Sequence, residues 1–196
     1  MAAVSMNIND FDSKEELYFY YWLMELSSKG LCSFKYQPKT FDLFKGSDYT
    51  IKFKSGKVTP RDVSYTPDFA VQWDERLRGI LFSIPETDDK KSIFIAFKPG
   101  PVSVIDIKGG FSRGRGANSS AITFPFKQKW LLQSTGLYVQ KIVPISSYSK
   151  KKDKQSGLFL DTFTPARYLL TEKGSERKLH HKPKMINKYL EENGIK

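Results

Sequence analysis

Val102-Ser103-Val104-Ile105-Asp106-Ile107-Lys108 is the strongest pattern for a buried strand in the chain. Side chains along a strand point alternately to its two faces. Asp106 and Lys108 therefore share one face, and Ile105 and Ile107 share the other. A buried carboxylate without a partner costs several kcal/mol, so Asp106 requires either an ion pair or a metal ion. This stretch predicts a central strand and a chemical site on it.

The segments around this strand predict an α/β order of elements. The stretch Ser13-Lys14-Glu15-Glu16 has the S-x-x-E pattern of a capping box, and the helix that it begins runs through Leu26. Further helices are predicted at 126–134, ended by Gly136, and at 183–193, with a polar Lys-rich linker at 146–157. The other strands are predicted at 31–36, 41–44, 48–55, 64–71, 79–84, 92–97 and 137–145.

The charge balance favours a polyanionic partner. The chain has 196 residues, with 32 Lys and Arg against 21 Asp and Glu, and a formal net charge of +11. The C-terminal third carries much of the excess, which favours nucleic acid over an anionic membrane surface.

The rest of the composition excludes several classes of protein. Cys32 is the one cysteine, and the two histidines are adjacent, which excludes a disulfide framework and disfavours a Cys- or His-based metal site. No apolar run is long enough to span a bilayer, and residues 1–12 lack the pattern of a signal peptide. We therefore expect a soluble, cytoplasmic protein.

A second acidic residue is also difficult to explain as surface charge. Asp68 follows Pro67 at the start of the apolar stretch Phe69-Ala70-Val71. Two carboxylates brought together near a lysine form a site of hard oxygen ligands, which suits Mg²⁺ better than zinc. Asp68, Asp106 and Lys108 are therefore the candidate residues for such a site.

Four short motifs follow one another in the chain and belong together: Ser-Ser-Lys-Gly-Leu at 27–31, Ser-Tyr-Thr-Pro-Asp-Phe at 64–69 with Pro67-Asp68, Asp106-Ile107-Lys108-Gly109, and Lys129-Trp130-Leu131-Leu132. This ordered set resembles the PD-(D/E)xK nuclease superfamily, and within it the phage endonuclease I type that includes Holliday junction resolvases. The resemblance covers residues 13–145. It implies a restriction-endonuclease-like core at 1–145, in which helices flank a central mixed sheet, with an insertion near 73–98. A basic extension at 146–196 would pack on this core or contact DNA.

The resemblance implies a phage or mobile-element DNA endonuclease that hydrolyses phosphodiester bonds in branched DNA and acts as a homodimer. Mg²⁺, for which Mn²⁺ would substitute, would be held by carboxylates and one backbone carbonyl. Lys108 would orient or help deprotonate the attacking water. The implied metal ligands are Asp68, Asp106, the Ile107 carbonyl and Glu16, and the implied DNA contacts are Lys127, Lys129, Arg113 and Arg115.

Several alternatives stay open at this point. Glu15 competes with Glu16 for the place of the helix carboxylate, and Glu16 could simply complete the capping box. Lys108 could serve only as an ion-pair partner of Asp106. The separation of 38 positions from Asp68 to Asp106 is long for the family, which puts their pairing in doubt. The chain could also be a transposon-end, restriction or repair nuclease of the same superfamily, or a non-catalytic basic nucleic-acid-binding protein.

Overall fold

The elements follow the chain in an α/β order. The computed structural model describes residues 10–46, 51–54, 56–58, 61–88, 92–97, 99–108, 118–145, 156–171, 173–179 and 181–195. The helices in these ranges are α1 (Lys14–Ser28), α2 (Asn118–Thr135), α3 (Leu158–Asp161) and α4 (Ile186–Glu192). The strands are β1 (Cys32–Tyr36), β2 (Phe41–Phe44), β3 (Ile51–Phe53), β4 (Gly56–Val58), β5 (Val63–Tyr65), β6 (Phe69–Trp73), β7 (Phe82–Ser83), β8 (Phe94–Ile95), β9 (Val102–Ile107) and β10 (Val139–Ile142).

The central sheet has four strands in the order β1-β6-β9-β10. β6 runs antiparallel to both β1 and β9, whereas β10 runs parallel to β9. The predicted class, a mixed α/β fold with a central mixed sheet and helices, is confirmed at this level. The strand predicted at 102–108 is β9, and it lies inside the sheet because it has neighbours on both sides.

Helix α1 forms where the capping pattern predicts it. The Ser13 hydroxyl oxygen accepts a hydrogen bond from the backbone N–H of Glu16, which satisfies one of the free donors of the first turn. Phe19, Trp22 and Leu23 are fully buried, so the helix is held mainly by its packing against the sheet. Gly30, with a φ of +66°, allows the turn that leads into β1.

The two faces of the sheet carry different cores. The larger core packs α1 against side chains such as Phe69, Val71 and Ile105. The smaller core lies on the opposite face, where Leu131 of α2 packs with Val104 and other apolar side chains. The strict alternation along β9 therefore separates the two cores, as the sequence pattern predicts.

The segment between β6 and β9, where the insertion is predicted, belongs to the larger core. Strands β7 and β8 form a short parallel pair, and Leu81, Phe82 and Phe94 are fully buried. The side chain of Gln140 on β10 binds this pair, because its Oε1 accepts a hydrogen bond of 2.8 Å from the backbone N–H of Ile95.

The C-terminal segment also contributes to the larger core. The rings of Trp22 and Phe163 stack with 5.0 Å between centroids, and the Trp22 indole N–H donates to the Thr162 hydroxyl. Tyr189 and Leu190 of α4 are buried in the same core. The domain boundary predicted at residue 145 stays a prediction, but these side chains lie in the main core.

Several predicted elements differ from the observed ones. The strand predicted at 64–71 is two strands, β5 and β6, interrupted at Thr66-Pro67-Asp68 because β5 pairs with β2 in a separate sheet. Of the strand predicted at 48–55, residues 48–50 and 55 lie outside the described residues, β3 ends at Phe53, and residues 56–58 form its antiparallel partner. Helix α2 begins eight residues before the predicted 126–134 and includes Pro125.

The remaining differences concern boundaries. The strands predicted at 79–84, 92–97 and 137–145 are confined to β7, β8 and β10, and the final helix begins at Ile186. In the described part of the chain, no helix is both long and apolar enough to cross a membrane.

Gly157 provides a test of the packing between β10 and the C-terminal segment. Its φ of +136° and ψ of 172° are almost restricted to glycine, and a Cβ atom would lie 2.8 Å from the Pro144 carbonyl oxygen. The backbone conformation alone would cost an alanine about 1–3 kcal/mol. Because the Cβ atom would also collide with Pro144, we expect Gly157→Ala to lower the free energy of unfolding by more than this amount. Gly136→Ala is the control, since it has positive φ but open space, and should cost about 1 kcal/mol. Urea unfolding measures both variants, and equal losses would contradict this packing.

Candidate active site

Asp68 and Asp106 face each other across two neighbouring strands. The antiparallel register pairs Phe69 with Ile105, so the residue before Phe69 and the residue after Ile105 lie opposite one another on the same face. Both side chains are buried, Asp68 being 9% exposed and Asp106 2% exposed. The long gap between them in the sequence does not separate them, because the intervening segment folds back onto the opposite face of the sheet.

Asp106 is held by a tyrosine and a lysine. The Tyr65 hydroxyl donates a 2.8 Å hydrogen bond to Asp106 Oδ1. Lys108 Nζ lies 2.5 Å from Asp106 Oδ2, and its side chain is 24% exposed. Among the described residues Oδ2 accepts no hydrogen bond of regular geometry, so this ion pair is what balances its charge. Burial and the negative charge of Asp106 raise the pKa of Tyr65 above its usual range, which keeps the hydroxyl protonated as a donor.

Asp68 has a raised proton affinity. Its Oδ2 accepts a hydrogen bond of 2.5 Å from the backbone N–H of Ile107. Burial and the nearby carboxylate of Asp106 raise the pKa of Asp68 to about 8, although the Ile107 hydrogen bond and Lys108 act in the opposite direction. At neutral pH Asp68 therefore holds a proton, and a bound cation would take the place of that proton.

Glu16 lies at the first turn of α1, close enough to Asp68 to contribute to its raised pKa. It is 5% exposed, and both carboxylate oxygens are occupied. The Ser13 hydroxyl donates to Oε1 at 2.8 Å, and the Tyr36 hydroxyl donates to Oε2 at 2.9 Å. Glu15, its competitor, instead lines a separate pocket. Glu16 takes part in capping and also lies close to Asp68.

The backbone of Ile107 is oriented toward Asp68. The N–H and C=O of one residue in an extended strand point toward the same neighbouring strand. Because the Ile107 N–H donates to Asp68, its carbonyl faces the β6 side as well, whereas the N–H of Lys108 donates to Ile142 on β10. The carbonyl predicted as a metal ligand thus lies on the side of the site that carries Asp68.

The predicted DNA contacts are placed differently from one another. Lys127 on α2 donates to the Ser64 carbonyl at 3.3 Å and lies over the ring of Tyr65, next to the site. Lys129 is exposed on the same helix, and no site residue is among its described contacts. Arg113 and Arg115 lie outside the described residues.

Three residues near the carboxylates were not predicted. Tyr36 and Tyr65 donate to Glu16 and Asp106, and Lys141 of β10 pairs in register with Asp106. Burial and Lys108 lower the pKa of Lys141. Little in the sequence pointed to Lys141, because strand 139–142 reads Val-Gln-Lys-Ile and half of it is polar. Its place beside Asp106 depends on strand order.

The donor set fits a divalent cation in part. Two buried carboxylates face each other, and one of them carries a proton that a cation would replace, which is the chemistry of a hard-oxygen site. Within the described ranges, no group of three or more His, Cys, Asp and Glu side chains is arranged to hold a metal ion. Glu16 would join the two aspartates only by exchanging its hydrogen bonds with Ser13 and Tyr36.

Comparisons of the chain with protein-family models, with curated proteins and with solved structures found no match. The geometry of the site is therefore the basis for any functional interpretation.

The raised pKa of Asp68 predicts how stability depends on pH in EDTA. The unfolded chain loses this proton near pH 3.8 and the folded chain near pH 8, so the folded state binds more protons between these values. The free energy of unfolding should then fall with rising pH by up to about 1.4 kcal/mol per unit because of Asp68. Asp68→Asn keeps an acceptor for the Ile107 N–H and removes this contribution.

Urea unfolding from pH 5 to pH 8.5 measures the effect. We expect Asp68→Asn to flatten the pH dependence and to be more stable than the wild type at pH 8.5. An unchanged slope in the variant would show that Asp68 does not titrate in this range. Asp161→Asn, which changes an exposed carboxylate on α3, is the matched control.

Proposed function

We propose that the protein is a Mg²⁺-dependent DNA endonuclease with a preference for branched DNA, similar to a Holliday junction resolvase. The observation that carries this proposal is the opposed pair of buried carboxylates, Asp68 and Asp106, with Lys108 ion-paired to one of them. Purely structural pairing would not require a second carboxylate opposite the first, because like charges on facing strands are destabilising.

The fold supports the same proposal at a finer level. In a restriction-endonuclease-like core the carboxylates lie on neighbouring strands of a mixed sheet with helices on both faces. Here β6 and β9 carry them, α1 packs on one face and α2 on the other. This arrangement supports assigning the motifs at 67–68 and 106–108 to a core of that type.

Each residue of the site has a role in the proposed hydrolysis. Asp68, Asp106 and the Ile107 carbonyl would hold Mg²⁺ or Mn²⁺, and Glu16 would complete the set. When bound, the cation supplies charge stabilisation at the scissile phosphate and lowers the pKa of a water molecule. Lys108, partly exposed beside Asp106, would donate to the attacking water and offset the negative charge that develops on the phosphate.

The DNA would be bound mainly through its phosphates. The excess of positive charge provides affinity without sequence information and makes binding strongly dependent on salt. Among the proposed contacts that the structure describes, Lys127 lies beside Tyr65, whose hydroxyl donates to Asp106, and Lys129 is exposed on the same helix. Arg113 and Arg115 would add phosphate contacts from outside the described residues. Recognition of DNA shape requires no base-reading element.

Two further properties belong to this proposal. A four-way junction has two symmetric strands to cut, which requires two active sites and therefore a homodimer. A phage or mobile-element enzyme of this kind acts on DNA in the cytoplasm of its host.

The decisive experiment compares the wild type with Asp106→Asn on a four-way junction and a matched linear duplex, in Mg²⁺ and in EDTA. We expect Mg²⁺-dependent, symmetric cutting of the junction by the wild type and a loss of at least about 100-fold in Asp106→Asn. Asparagine still accepts from Tyr65, so the variant should fold. Asp161→Asn should cut like the wild type.

Each other outcome changes the proposal in a defined way. Equal cutting of both DNAs would support a nuclease but contradict a preference for junctions, and would indicate a restriction, repair or transposon-end enzyme. Cutting that persists in Asp106→Asn would place the catalytic site elsewhere. If the folded wild type binds DNA but does not cut it, the proposal that the protein is an enzyme is contradicted.

A non-catalytic nucleic-acid-binding protein is the second candidate. It is favoured by the occupied oxygens of Glu16 and Asp106, each of which already has a partner within the protein. In that case the carboxylates would serve stability alone, and Asp106→Asn would leave DNA affinity unchanged in EDTA and in Mg²⁺.

The two glutamates of α1 give a paired test of the site. Glu16→Gln should reduce Mg²⁺-dependent cutting by about 10-fold or more and raise the Mg²⁺ concentration needed for half-maximal rate, because it removes a charge facing Asp68. Glu15→Gln should leave the Mg²⁺ requirement unchanged. The reverse result would assign the helix carboxylate to Glu15.

A further inference from the structure

A pocket of about 590 Å³ lies between the first turns of α1 and the C-terminal segment. Asp68 and Asp106 do not line it. One wall comes from α1 and the other from residues between 168 and 177, and Ile145 also lines the pocket. The described polar lining includes the cations Lys14, Lys173 and Arg177, the carboxylate Glu15, and the hydroxyl residues Thr171 and Ser175. Among these described residues, three cations against one carboxylate leave an excess of positive charge.

Arg177 is fixed in this pocket. Its guanidinium lies over the rings of Tyr168 and Tyr18, 4.4 and 5.2 Å from their centroids. Its Nε donates to the Tyr168 carbonyl at 2.8 Å, and its Nη2 donates to the Tyr18 hydroxyl at 2.6 Å. Within the described ranges no carboxylate forms an ion pair with this guanidinium, so its positive charge is available to an anion.

A tight turn places Lys173 on the rim of the same pocket. The backbone N–H of Gly174 donates to the Thr171 carbonyl, and the N–H of Thr171 donates to the Ser175 carbonyl. Gly174 has a φ of +81°, which a glycine adopts without strain. The exposed Lys173 therefore extends from a defined turn, with the Ser175 hydroxyl residue beside it.

The position of the pocket relates it to the proposed active site. Glu15 on its wall is the direct neighbour in sequence of Glu16, which lies close enough to Asp68 to raise the pKa of that residue. The first turn of α1 therefore contributes to both the pocket and the candidate active site. A fixed guanidinium, lysine ammonium groups and hydroxyls are the groups that bind phosphate oxygens in DNA complexes.

We propose that this pocket binds a backbone phosphate of the DNA substrate, away from the bond that is cut. The proposal rests on the proposed function for its substrate, and it gives the C-terminal segment a role in binding. The pocket contributes affinity and orientation but no sequence specificity. Arg177 and Lys173 supply the charge from the C-terminal side, and Lys14 supplies it from α1.

The test measures DNA affinity in EDTA, so that cutting does not contribute. Fluorescence anisotropy with a labelled four-way junction, at several salt concentrations, compares the wild type, Lys173→Ala and the double variant Lys14→Ala/Lys173→Ala. We expect the Kd of Lys173→Ala for the junction to be several-fold higher than that of the wild type. The slope of log Kd against log salt should decrease by about 0.9 for each phosphate contact that is lost. Lys173 is exposed, so its loss leaves the fold intact.

Lys188→Ala is the matched control, because Lys188 is an exposed lysine of α4 outside the pocket. If it lowers affinity and slope as much as Lys173→Ala, general charge explains the effect and the proposal is wrong. Unchanged affinity and slope in both pocket variants would also overturn it. A third outcome is that millimolar inorganic phosphate weakens DNA binding by the wild type but not by Lys173→Ala, while Lys173→Ala binds DNA as tightly as the wild type does without phosphate. That outcome would assign the pocket to a small phosphate ligand instead.

These results are separable from the proposed nuclease activity. If the wild type binds DNA through the pocket but cuts none, the pocket proposal is supported and the nuclease proposal fails. If the wild type cuts in Mg²⁺ while the pocket variants bind and cut as well as Lys188→Ala, the nuclease is retained and the pocket proposal fails.

Discussion

The antiparallel register of β6 and β9 is the constraint on which the rest of the site depends. It places Asp68 opposite Asp106 at the end of the strand pair, where both side chains are buried. Two ionised carboxylates in this position repel each other in a poorly solvated environment. Glu16 adds to that repulsion, and several other neighbouring groups reduce it. Lys108 and the Tyr65 hydroxyl compensate Asp106, while Asp68 keeps a proton and accepts from a backbone N–H.

The same sheet separates this polar site from a large aromatic core. Alternation along β9 sends Ile105 and Ile107 to the α1 face, and Asp106 to the α2 face. Because the site lies on central strands packed on both sides, its carboxylates are positioned by rigid elements, as functional groups require. The C-terminal segment adds to this rigidity through the stacking of Phe163 on Trp22.

Each carboxylate of the site already has a compensating partner, and this determines how a cation could enter. A divalent cation would replace the proton of Asp68 and compete with Lys108 for Asp106. Cation binding should therefore be linked to pH and would release the lysine ammonium for another acceptor. The proposed nuclease and the non-catalytic alternative differ in whether this exchange takes place. Phosphate binding in the pocket around Arg177, as proposed, does not depend on that exchange.

The sequence by itself determined the local elements and the unusual residues within them. The cap of α1, the alternation of residues 102–108 and the exceptional position of Asp106 all follow from the side chains of neighbours in the chain. Three other features depend on the tertiary structure. They are the break between β5 and β6, the opposition of Asp68 and Asp106 across a long gap in the sequence, and the position of Lys141 next to Asp106 in the sheet. Strand order and register arise from contacts between distant segments, which local patterns of hydrophobicity and turn residues do not contain.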